Sequence, residues 1–376
     1  MAVEIKQIPL TSSALKPFVH FGIDHYRGNG CYVPPLVMDE VNTLLPEKNP
    51  AFDHCKAVAY MAYRDGKPVG RIVGIINEVV NARTGNDVRF GFVDFIDDAE
   101  VSDALFAAVA EWGRSHGMTS MVGPMGFTDM DHEGMLVEGF DQMGTMATIY
   151  NYEYYPRHME RMGFHTDAEW VEYRIEVPET VPEKMKRIAE LVRKKYGLQV
   201  ITFKSRKKLK DEYGQALFEL INEAYDQLYG YSPLTQRQID YYIGMYLGLI
   251  RLDGVCVIAD ADRKIVGIGI SLPSLSKALR KSRGRLLPFG WWPLLKALKM
   301  NNSDVVDLLL VAVKPEYQNK GVNALLFEYL IPVFNKCGFK EAESNPELAS
   351  NANVQLQWQY FNHRQHRRRR AFRKSI

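Results

Sequence analysis

The sequence predicts an α+β fold with two tandem domains, each a mixed, mostly antiparallel sheet flanked by helices. The chain has 376 residues, which exceeds what one compact core usually holds. Strand-like alternation and helix-like periodicity follow each other in the same order in both halves. Pro178 and Pro182 interrupt these patterns between the halves. We therefore expect one domain at 1–178 and a second at 179–376.

The elements of the first half are predicted from local patterns. The turn at Gly66 and Lys67 joins two apolar segments into a hairpin, and Gly117 is a stop signal after a helix with apolar residues at helical spacing. The predicted elements are strands at 58–63, 69–76 and 89–96, a helix at 99–116, a strand at 120–122, a helix at 156–162 and a strand at 170–177.

The second half repeats this plan. Its predicted elements are helices at 183–196 and 210–229, strands at 255–259, 265–272 and 305–313, a helix at 322–336 and a strand near Glu341. A long insertion separates the second and third of the main strands. Residue identity between the halves is slight, so we interpret the repeat as a diverged structural duplication.

The composition indicates a globular protein in a reducing compartment. Apolar residues make up 46% and charged residues 24%, and the net charge of +2 gives no reason to expect an acidic polymer as partner. The cysteines are far apart and unpaired in spacing, which argues against a disulfide framework or a zinc ribbon; they are Cys31, Cys55, Cys256 and Cys337. No secretion signal begins the sequence, and no segment approaches the roughly 20 apolar residues that span a bilayer. We expect a cytoplasmic protein.

The most informative segment is the turn between the strand at 305–313 and the helix after it. An apolar strand ends at Val313, a turn carries Pro315 and Tyr317, and residues 318–321 lead directly into the helix. Such a turn can point several backbone N–H groups into one concavity at the positive end of the helix dipole. Gly321 permits close approach of an anion, and Lys320 adds a positive charge. This pattern favours a pyrophosphate site over an ordinary solvated turn.

This segment resembles the signature of the GCN5-related N-acetyltransferase (GNAT) superfamily. That signature is Arg or Gln, two residues, Gly, one residue, then Gly or Ala, after Val-x-Pro-x-Tyr. The match holds from Val313 through Gly321, whereas Asn323 replaces the usual small residue, which costs little in the first turn of a helix. The resemblance implies two acyl-CoA N-acyltransferase-like domains, with acetyl-CoA or a longer acyl-CoA as cosubstrate and no metal. The CoA-binding residues that it implies are Val311, Ala312, Val313, Gln318, Asn319, Lys320, Gly321, Val322, Asn323 and Asn351.

The catalytic residues are less well marked. The superfamily often has an Asn followed seven residues later by a Tyr that protonates the departing thiolate. Asn351 fits the first position, but Trp358 occupies the second, and an indole N–H has no usable acidity. Asn353 and Tyr360 keep the same spacing, and Glu347 lies near. The resemblance therefore implies Glu347 and Tyr360 as candidate catalytic residues, with a structural role for each as the alternative.

The first half lacks the loop at the equivalent place. Its strand leads into Asp97, Asp98 and Glu100, with no glycine in the turn. These carboxylates suit a helix N-terminus and would repel a polyanion. We therefore expect a degenerate domain without a CoA loop. The segment from Tyr154 to Phe164 resembles the Tyr–helix–Gly–Phe ending of the superfamily, which supports a shared fold.

Two polar clusters have alternative interpretations. Asp129, Asp131, His132 and Glu133 are close in sequence but lack the spacing of known metal motifs, so a polar loop or a substrate contact is favoured over a metal. Residues 27–30, Arg-Gly-Asn-Gly, suit a phosphate but are first a turn signal.

Two further segments suggest contact with lipid or substrate. Residues 278–300 join a cationic stretch to an apolar run with Trp291 and Trp292, which is typical either of a segment at an anionic membrane surface or of a lid packed over the acyl site. Arg367 to Arg370 predict a final strand with one cationic face, which could cover the adenine and 3′-phosphate of CoA or an anionic lipid; nucleic acid is a weaker candidate.

The resemblance implies an acyl-CoA-dependent N-acyltransferase that acts on an amine, and the apolar segment at 278–300 favours a lipid or another apolar molecule as acceptor. The amine would attack the thioester directly, and strand N–H groups would stabilise the oxyanion. The protein would be cytoplasmic or peripheral at the inner membrane surface. The alternative is a non-catalytic protein that binds acyl-CoA or a protein partner, which the replacement of Tyr by Trp358 would suit.

Overall fold

The computed structural model describes residues 2–246, 250–300 and 303–376. The chain forms two compact units. Unit 1 contains Met1–Val171, Ser276–Pro293 and His366–Ile376, and unit 2 contains Glu172–Leu275 and Leu294–Gln365. These units differ from two continuous domains at 1–178 and 179–376, because two segments from the second half are part of unit 1. One of them supplies a strand beside β5 of that unit, as described below.

The strands follow the predicted plan in both halves. Within the described residues they are, in chain order, β1 (Glu4–Ile8), β2 (Cys55–Arg64), β3 (Lys67–Asn77), β4 (Asp87–Phe95), β5 (Ser120–Gly123), β6 (Met135–Glu138), β7 (His165–Glu176), β8 (Gln199–Ile201), β9 (Val255–Ala259), β10 (Ile265–Pro273), β11 (Val305–Val313), β12 (Glu341–Ser344), β13 (Glu347–Leu348) and β14 (His363–Ser375).

The helices include several that local patterns did not reveal. Within the described residues they are, in chain order, α1 (Ser12–His25), α2 (Val37–Thr43), α3 (Glu78–Thr84), α4 (Ala99–Ser115), α5 (Tyr154–Arg161), α6 (Glu183–Tyr196), α7 (Arg206–Tyr225), α8 (Gln236–Tyr246), α9 (Ser276–Ser282), α10 (Trp291–Lys299), α11 (Asn323–Cys337) and α12 (Ala352–Gln355). None of the helices in the described ranges is long and apolar enough to span a membrane.

Unit 1 is built on a sheet with the order β1-β2-β3-β4-β5-β14. The first four strands form an antiparallel meander, and α4 then connects β4 to the parallel neighbour β5. One face of the sheet packs on α4, with Leu105 and Val109 in its core, and the other packs on α1 through Leu15 and Phe18. The predicted α+β class is confirmed for this unit.

Unit 2 repeats the same plan in the order β7-β12-β11-β10-β9-β8. Strands β8 to β11 form an antiparallel meander, and α11 connects β11 to the parallel neighbour β12. Helices α6 and α11 cover one face, with Ala189, Leu325 and Phe334 in the core. This crossover from β11 to β12 carries the predicted pyrophosphate turn.

The arginine-rich tail is a strand, as predicted, but it does not present a free cationic face. Arg367 and Arg369 are buried and donate to main-chain carbonyls, including that of Ile149. Arg368 and Arg370 pair with Glu169. The predicted cationic face is therefore wrong for these residues, because the fold itself supplies acceptors for their guanidinium groups. Contact of this strand with CoA or anionic lipid stays a prediction.

Candidate functional site

The turn before α11 has a fixed backbone conformation. Gln318 closes the turn onto the end of β11, because its Nε2 donates to the carbonyl of Val313 at 3.1 Å. Asn319 and Gly321 both have positive φ angles, 58° and 80°. A Cβ on Gly321 would also lie 2.7 Å from Cγ2 of Ile188 on α6. Glycine at this position therefore serves both the left-handed backbone and the close approach of a neighbouring helix.

The same turn leaves a run of backbone donors open. Among the described residues, no acceptor is recorded for the N–H groups of 319–323. The first amides with partners are those of Ala324, which donates to Gly321 at 3.0 Å, and Leu325, which donates to Val322 at 3.0 Å. Open N–H groups at a helix N-terminus, where the dipole is positive, form a site for an anion.

Side chains next to this turn add charge and fix its position. The Nζ of Lys320 lies 5.5 Å from the ring centroid of Tyr196 and 5.6 Å from that of Tyr317. These rings hold a cation beside the open amides. The side chain of Asn323 is not free to cover the turn, because its amide donates to Oε1 of Gln357 at 3.1 Å. The replacement of a small residue by Asn323 thus creates a link to the segment after α12.

Strands β11 and β12 separate beside the turn. They pair in parallel from Val305 to Leu308 with 341–344, and β12 then ends. Opposite this point a bulge lies between Ile270 and Ser271 of β10. The carbonyl of Leu309 accepts from Nδ2 of Asn345 at 2.6 Å. Beyond Leu308, β11 therefore has one edge that β12 does not cover.

Alternate residues of β11 turn their backbone groups toward this open edge. Lys314 donates its N–H to Val266 of β10 at 2.9 Å, and Ala312 lies opposite Ile268. Hydrogen-bonded and non-hydrogen-bonded positions alternate in an antiparallel pair, so the backbone of Ala312 faces β10 and those of Val311 and Val313 face away. The open edge is thus supplied by Val311 and Val313, whereas the predicted contribution of Ala312 is taken up by the sheet.

Tyr225 at the end of α7 closes part of this edge. Its hydroxyl donates to the carbonyl of Val311 at 2.8 Å. Sequence reasoning missed Tyr225, Asn345 and Gln357, because a single polar residue within a helix or a loop carries no local signal of a long-range contact. The amino-acid sequence alone therefore could not identify these three residues.

Glu347 is the most strongly perturbed carboxyl near the end of β12. The indole N–H of the buried Trp358 donates to its two oxygens at 3.0 and 3.1 Å. Burial nevertheless raises the pKa of Glu347 to about 8, an effect that the hydrogen bond from Trp358 only partly offsets. Such a carboxyl can hold or release a proton near neutral pH. Trp358, which cannot itself act as an acid, has a defined role as the partner of Glu347.

The other predicted residues of this region lie elsewhere. Tyr360 packs in a cluster with Val181, Met185 and Ile331, and the Nζ of Lys184 lies 4.8 Å from its ring centroid. Asn351 precedes α12, makes no side-chain cap and donates its main-chain N–H to Leu348 at 2.9 Å. The side chain of Asn353 lies outside the described residues. The structure thus brings Trp358, rather than Tyr360, to Glu347.

Unit 1 has the same crossover but a different turn. Asp98 is the N-cap of α4, and its Oδ1 accepts from the N–H groups of Glu100 at 3.0 Å and Val101 at 3.2 Å. Arg64 pairs with both Asp98 and Glu100. These contacts lower the pKa of Asp98, chiefly through the hydrogen bond from Arg64. The prediction that carboxylates satisfy this helix start themselves is confirmed.

The polar cluster at 129–133 forms local contacts. Oδ2 of Asp131 accepts from the N–H groups of Phe127 and Thr128, although burial raises the pKa of Asp131 to about 6. Nε2 of His132 is hydrogen-bonded to the carbonyl of Met146 at 2.8 Å. Burial also raises the pKa of Glu133. These contacts fit the favoured interpretation as a polar loop.

The Gly-rich segment at 27–30 is a turn after α1. Arg27 pairs with Asp24 at 2.7 Å, and Asn29 accepts the N–H groups of Cys31 and Tyr32. The turn interpretation of this segment therefore accounts for its polar side chains.

Comparison with solved structures identifies the fold. The chain is similar to a tandem GNAT protein from the clavulanic acid biosynthesis pathway, with 12% identity, a TM-score of 0.57, and 99% of this chain and 98% of that chain covered. It is also similar to a probable N-acyltransferase of Enterococcus faecalis, with 9% identity, a TM-score of 0.51, and 100% and 73% covered. No protein-family model matches the chain.

Comparison with curated proteins adds two relatives. The bacterial ceramide synthase of Caulobacter vibrioides is 28% identical over 84% of this chain and 82% of its own length. Protein YghO of Escherichia coli is 30% identical over 86% of this chain and 82% of its own length. The chain therefore belongs to the family of protein YghO, and its fold is that of the tandem GCN5-related N-acetyltransferases.

Proposed function

We propose that the protein is an N-acyltransferase that transfers the acyl group of an acyl-CoA to the amine of a long-chain, apolar acceptor, and that unit 2 performs the reaction. The observation that carries this proposal is the run of open N–H groups at 319–323, at the start of α11 and beside the uncovered edge of β11. Such a surface fits two parts of CoA, the anionic pyrophosphate and the extended pantetheine arm with its amides.

The pyrophosphate of CoA would bind to the open amides. Backbone donors at a helix N-terminus bind a doubly charged group without the cost of reorganising side chains. Lys320, held between two tyrosine rings, would add a cation at the rim. Gln318 would act indirectly, because its side chain fixes the turn rather than pointing into it.

The pantetheine arm would lie along the open edge of β11. Its amides need alternating donors and acceptors, and the backbone groups of Val311 and Val313 face away from β10. The carbonyl of Val313 already accepts from Gln318, so Val313 would contribute mainly its N–H. The hydroxyl of Tyr225 currently donates to Val311, so the arm would share that carbonyl or displace the hydroxyl. The same strand would offer an N–H to the oxyanion formed during attack.

Glu347 would carry the proton in the reaction. As a carboxylate it would accept a proton from the attacking amine, whose nitrogen forms the new C–N bond to the acyl carbon. The C–S bond then breaks, and Glu347 returns the proton to the departing thiolate. Its pKa of about 8 suits both halves of this exchange near neutral pH. The family's usual tyrosine acid is then not required.

The identity of the acceptor is proposed from a relative. The C. vibrioides protein, 28% identical, is named a bacterial ceramide synthase, and a ceramide is a long-chain amino alcohol whose nitrogen carries a fatty acyl group. The same class of acceptor, a sphingoid-type amine, is proposed here together with a long acyl chain.

An acyl-transfer assay tests this proposal. Purified protein is incubated with short, medium and long acyl-CoA and with a long-chain amino alcohol, and the amide and the free CoA thiol are measured by mass spectrometry and thiol titration. The matched acceptor is the same chain with a hydroxyl in place of the amine. The Glu347→Gln variant, which keeps the shape of the side chain, serves as the control for enzymatic turnover.

The expected result is amide formation with the amine, none with the matched alcohol, and equal amounts of amide and thiol. Binding of acyl-CoA without any amide would favour the alternative, a non-catalytic acyl-CoA-binding protein. If acyl-CoA does not bind at all, the proposal is wrong.

A further inference from the structure

A cluster of large apolar side chains lies exposed between α9 and the first turn of α10. The apolar tip, as we call it, consists of Leu287, Phe289, Trp291 and Trp292, whose exposed fractions are 80%, 77%, 45% and 44%. We propose that this tip docks the protein onto the surface of an anionic lipid bilayer. The proposal goes beyond the reaction itself and does not depend on it.

The tip is held in a closed turn. The N–H of Trp291 donates to Leu286 at 3.0 Å, and that of Trp292 donates to Phe289 at 3.2 Å. A Cβ on Gly290 would lie 1.7 Å from the carbonyl oxygen of Arg285, so only glycine fits there. The backbone is thus folded on itself, and the side chains of Leu287 and Phe289 are presented outward rather than collapsed against the turn.

The base of the tip is anchored in unit 1. Ala278 and Leu279 of α9 are buried. The carbonyl of Gly284 accepts from the N–H of Val37 at 2.9 Å, and a Cβ on Gly284 would lie 2.1 Å from the carbonyl oxygen of Pro35. The exposure of the tip is therefore a feature of a packed segment. It fits poorly with a lid whose apolar side chains pack against the domain.

The charge next to the tip selects the partner. Lys281, Arg283 and Arg285 are exposed, and no ion pair joins them to any part of the chain that the structure describes. Cations that flank exposed Trp, Phe and Leu are complementary to the anionic headgroups and the acyl boundary of a bilayer. An apolar protein groove would match the tip but leave this positive charge without a partner.

Vesicle co-sedimentation of the full chain tests the proposal. Vesicles of phosphatidylcholine alone are compared with vesicles that also contain phosphatidylglycerol, at low and high salt, with no amine or acyl-CoA present. Two variants are compared with the wild type: Phe289→Ser with Trp291→Ser at the tip, and Met38→Ser with Leu191→Ser as a matched control. Met38 and Leu191 are also exposed, by 57% and 65%, but lie outside the tip.

We expect the wild type to bind the anionic vesicles about tenfold or more better than the neutral ones, with weaker binding at high salt. The tip variant should lose about tenfold or more of this binding and keep its melting temperature, while the control variant binds normally. A charge variant, Lys281→Glu with Arg285→Glu, should lose the preference for anionic lipid.

Three results would overturn the proposal. They are the absence of vesicle binding by the wild type, equal loss in the tip and control variants, and a dimer of the wild type that the tip variant abolishes. The dimer would identify a second copy of the chain as the occupant of the tip. Because no reaction is measured, failure here leaves the proposed acyl transfer untouched, and failure of acyl transfer leaves this result untouched.

Discussion

The starts of α4 in unit 1 and α11 in unit 2 occupy the same place in two copies of one fold, yet their backbone amides have different partners. In unit 1 the carboxylate of Asp98 accepts the first amides of α4, and Arg64 balances its charge. In unit 2 the amides of 319–323 have no recorded acceptor within the described ranges. One helix start carries its own anion, and at the other we propose that an external anion binds.

This difference illustrates two ways in which the same helix start can be stabilised. A helix N-terminus is stabilised by any well-placed negative group, whether it belongs to a side chain or to a ligand. A single capping aspartate can therefore replace a bound pyrophosphate energetically, while its charge excludes that ligand. We propose that unit 1 has a structural cap where unit 2 has a binding surface.

The largest effect is expected at Glu347, and it tests whether unit 2 is the catalytic unit. Glu347→Gln should lower kcat by about 100-fold, because it removes the proton acceptor, and leave the acyl-CoA dissociation constant unchanged. The wild-type rate should rise with pH through about 8, since the carboxylate is the active form. Steady-state kinetics from acid to alkaline pH measure both; an unchanged kcat would show that Glu347 is structural.

The same carboxyl should also affect stability. The pKa of Glu347 in the folded protein lies above the ordinary value of 4.5. The contribution of this carboxyl to the free energy of unfolding is therefore fully present below pH 4.5 and is lost as the pH rises through about 8. The free energy of unfolding of the wild type, relative to that of Glu347→Gln, should therefore decrease as the pH rises from 4.5 to about 8. Melting curves of the two proteins across this range give the comparison, and parallel curves would contradict the raised pKa.

Trp358→Phe tests the assignment of Glu347 as the proton carrier, and its effect on kcat should be smaller than that of Glu347→Gln. The indole N–H stabilises the ionised carboxylate, so its removal should raise the pKa of Glu347 further and move the pH dependence of kcat by about one unit to higher pH. The rate at high pH should remain close to that of the wild type. A large loss at every pH, in a variant that still melts cooperatively and binds CoA, would assign Trp358 a direct role.

Asp98→Ala tests the other side of the comparison. Loss of the cap should destabilise the protein by about 1 kcal/mol, and CoA binding should be unaffected, because α4 has no part in it. Chemical unfolding and calorimetry with CoA provide the two measurements. Asp98→Asn, which keeps the cap without the charge, is the matched control and should recover most of the stability.

Lys320→Ala should have the smallest effect. The ammonium group is exposed to solvent and already lies near two tyrosine rings, so its removal should weaken CoA binding by only about threefold. Lys336→Ala, at the opposite end of α11, is the control and should leave the affinity unchanged. Loss of all binding in the Lys320 variant would mean that the side chain, rather than the backbone amides, supplies the anion site.

The parts of the fold with strong local patterns were predicted from the sequence. The bounds of β9, β11 and α6 agree with the predicted ranges, and the turn at 318–321 was located because glycine and proline mark it directly. By contrast, α1 (Ser12–His25) was not predicted, since Pro17 interrupts a sequence with few strong helix formers. Local pattern therefore sufficed where periodicity and turn residues agreed.

The missed features all depend on contacts between distant residues. Arg369 appeared as part of a cationic surface, but its guanidinium group is buried among carbonyls such as that of Ile149. The segment with Gly284 was predicted as an insertion within the second half. The carbonyl of Gly284 nevertheless accepts a hydrogen bond from the N–H of Val37 in the first half. The link from Trp358 to Glu347 likewise has no local signal, because the two residues meet only through the fold.

The measurement that tests the central claim most directly is calorimetric titration of CoA into two glycine variants. Gly321 and Gly338 lie at opposite ends of α11 and share a φ angle of 80°, so any side chain is strained by the backbone at both. A Cβ at Gly321 also meets Ile188, and Gly321→Ala serves as the control for that contact. Gly321→Glu places a carboxylate among the open amides and should weaken CoA binding by about 100-fold or more. Gly338→Glu should bind as the wild type does, one CoA per chain. Equal affinity in the Gly321 variant, with folding confirmed by its melting curve, would contradict the account.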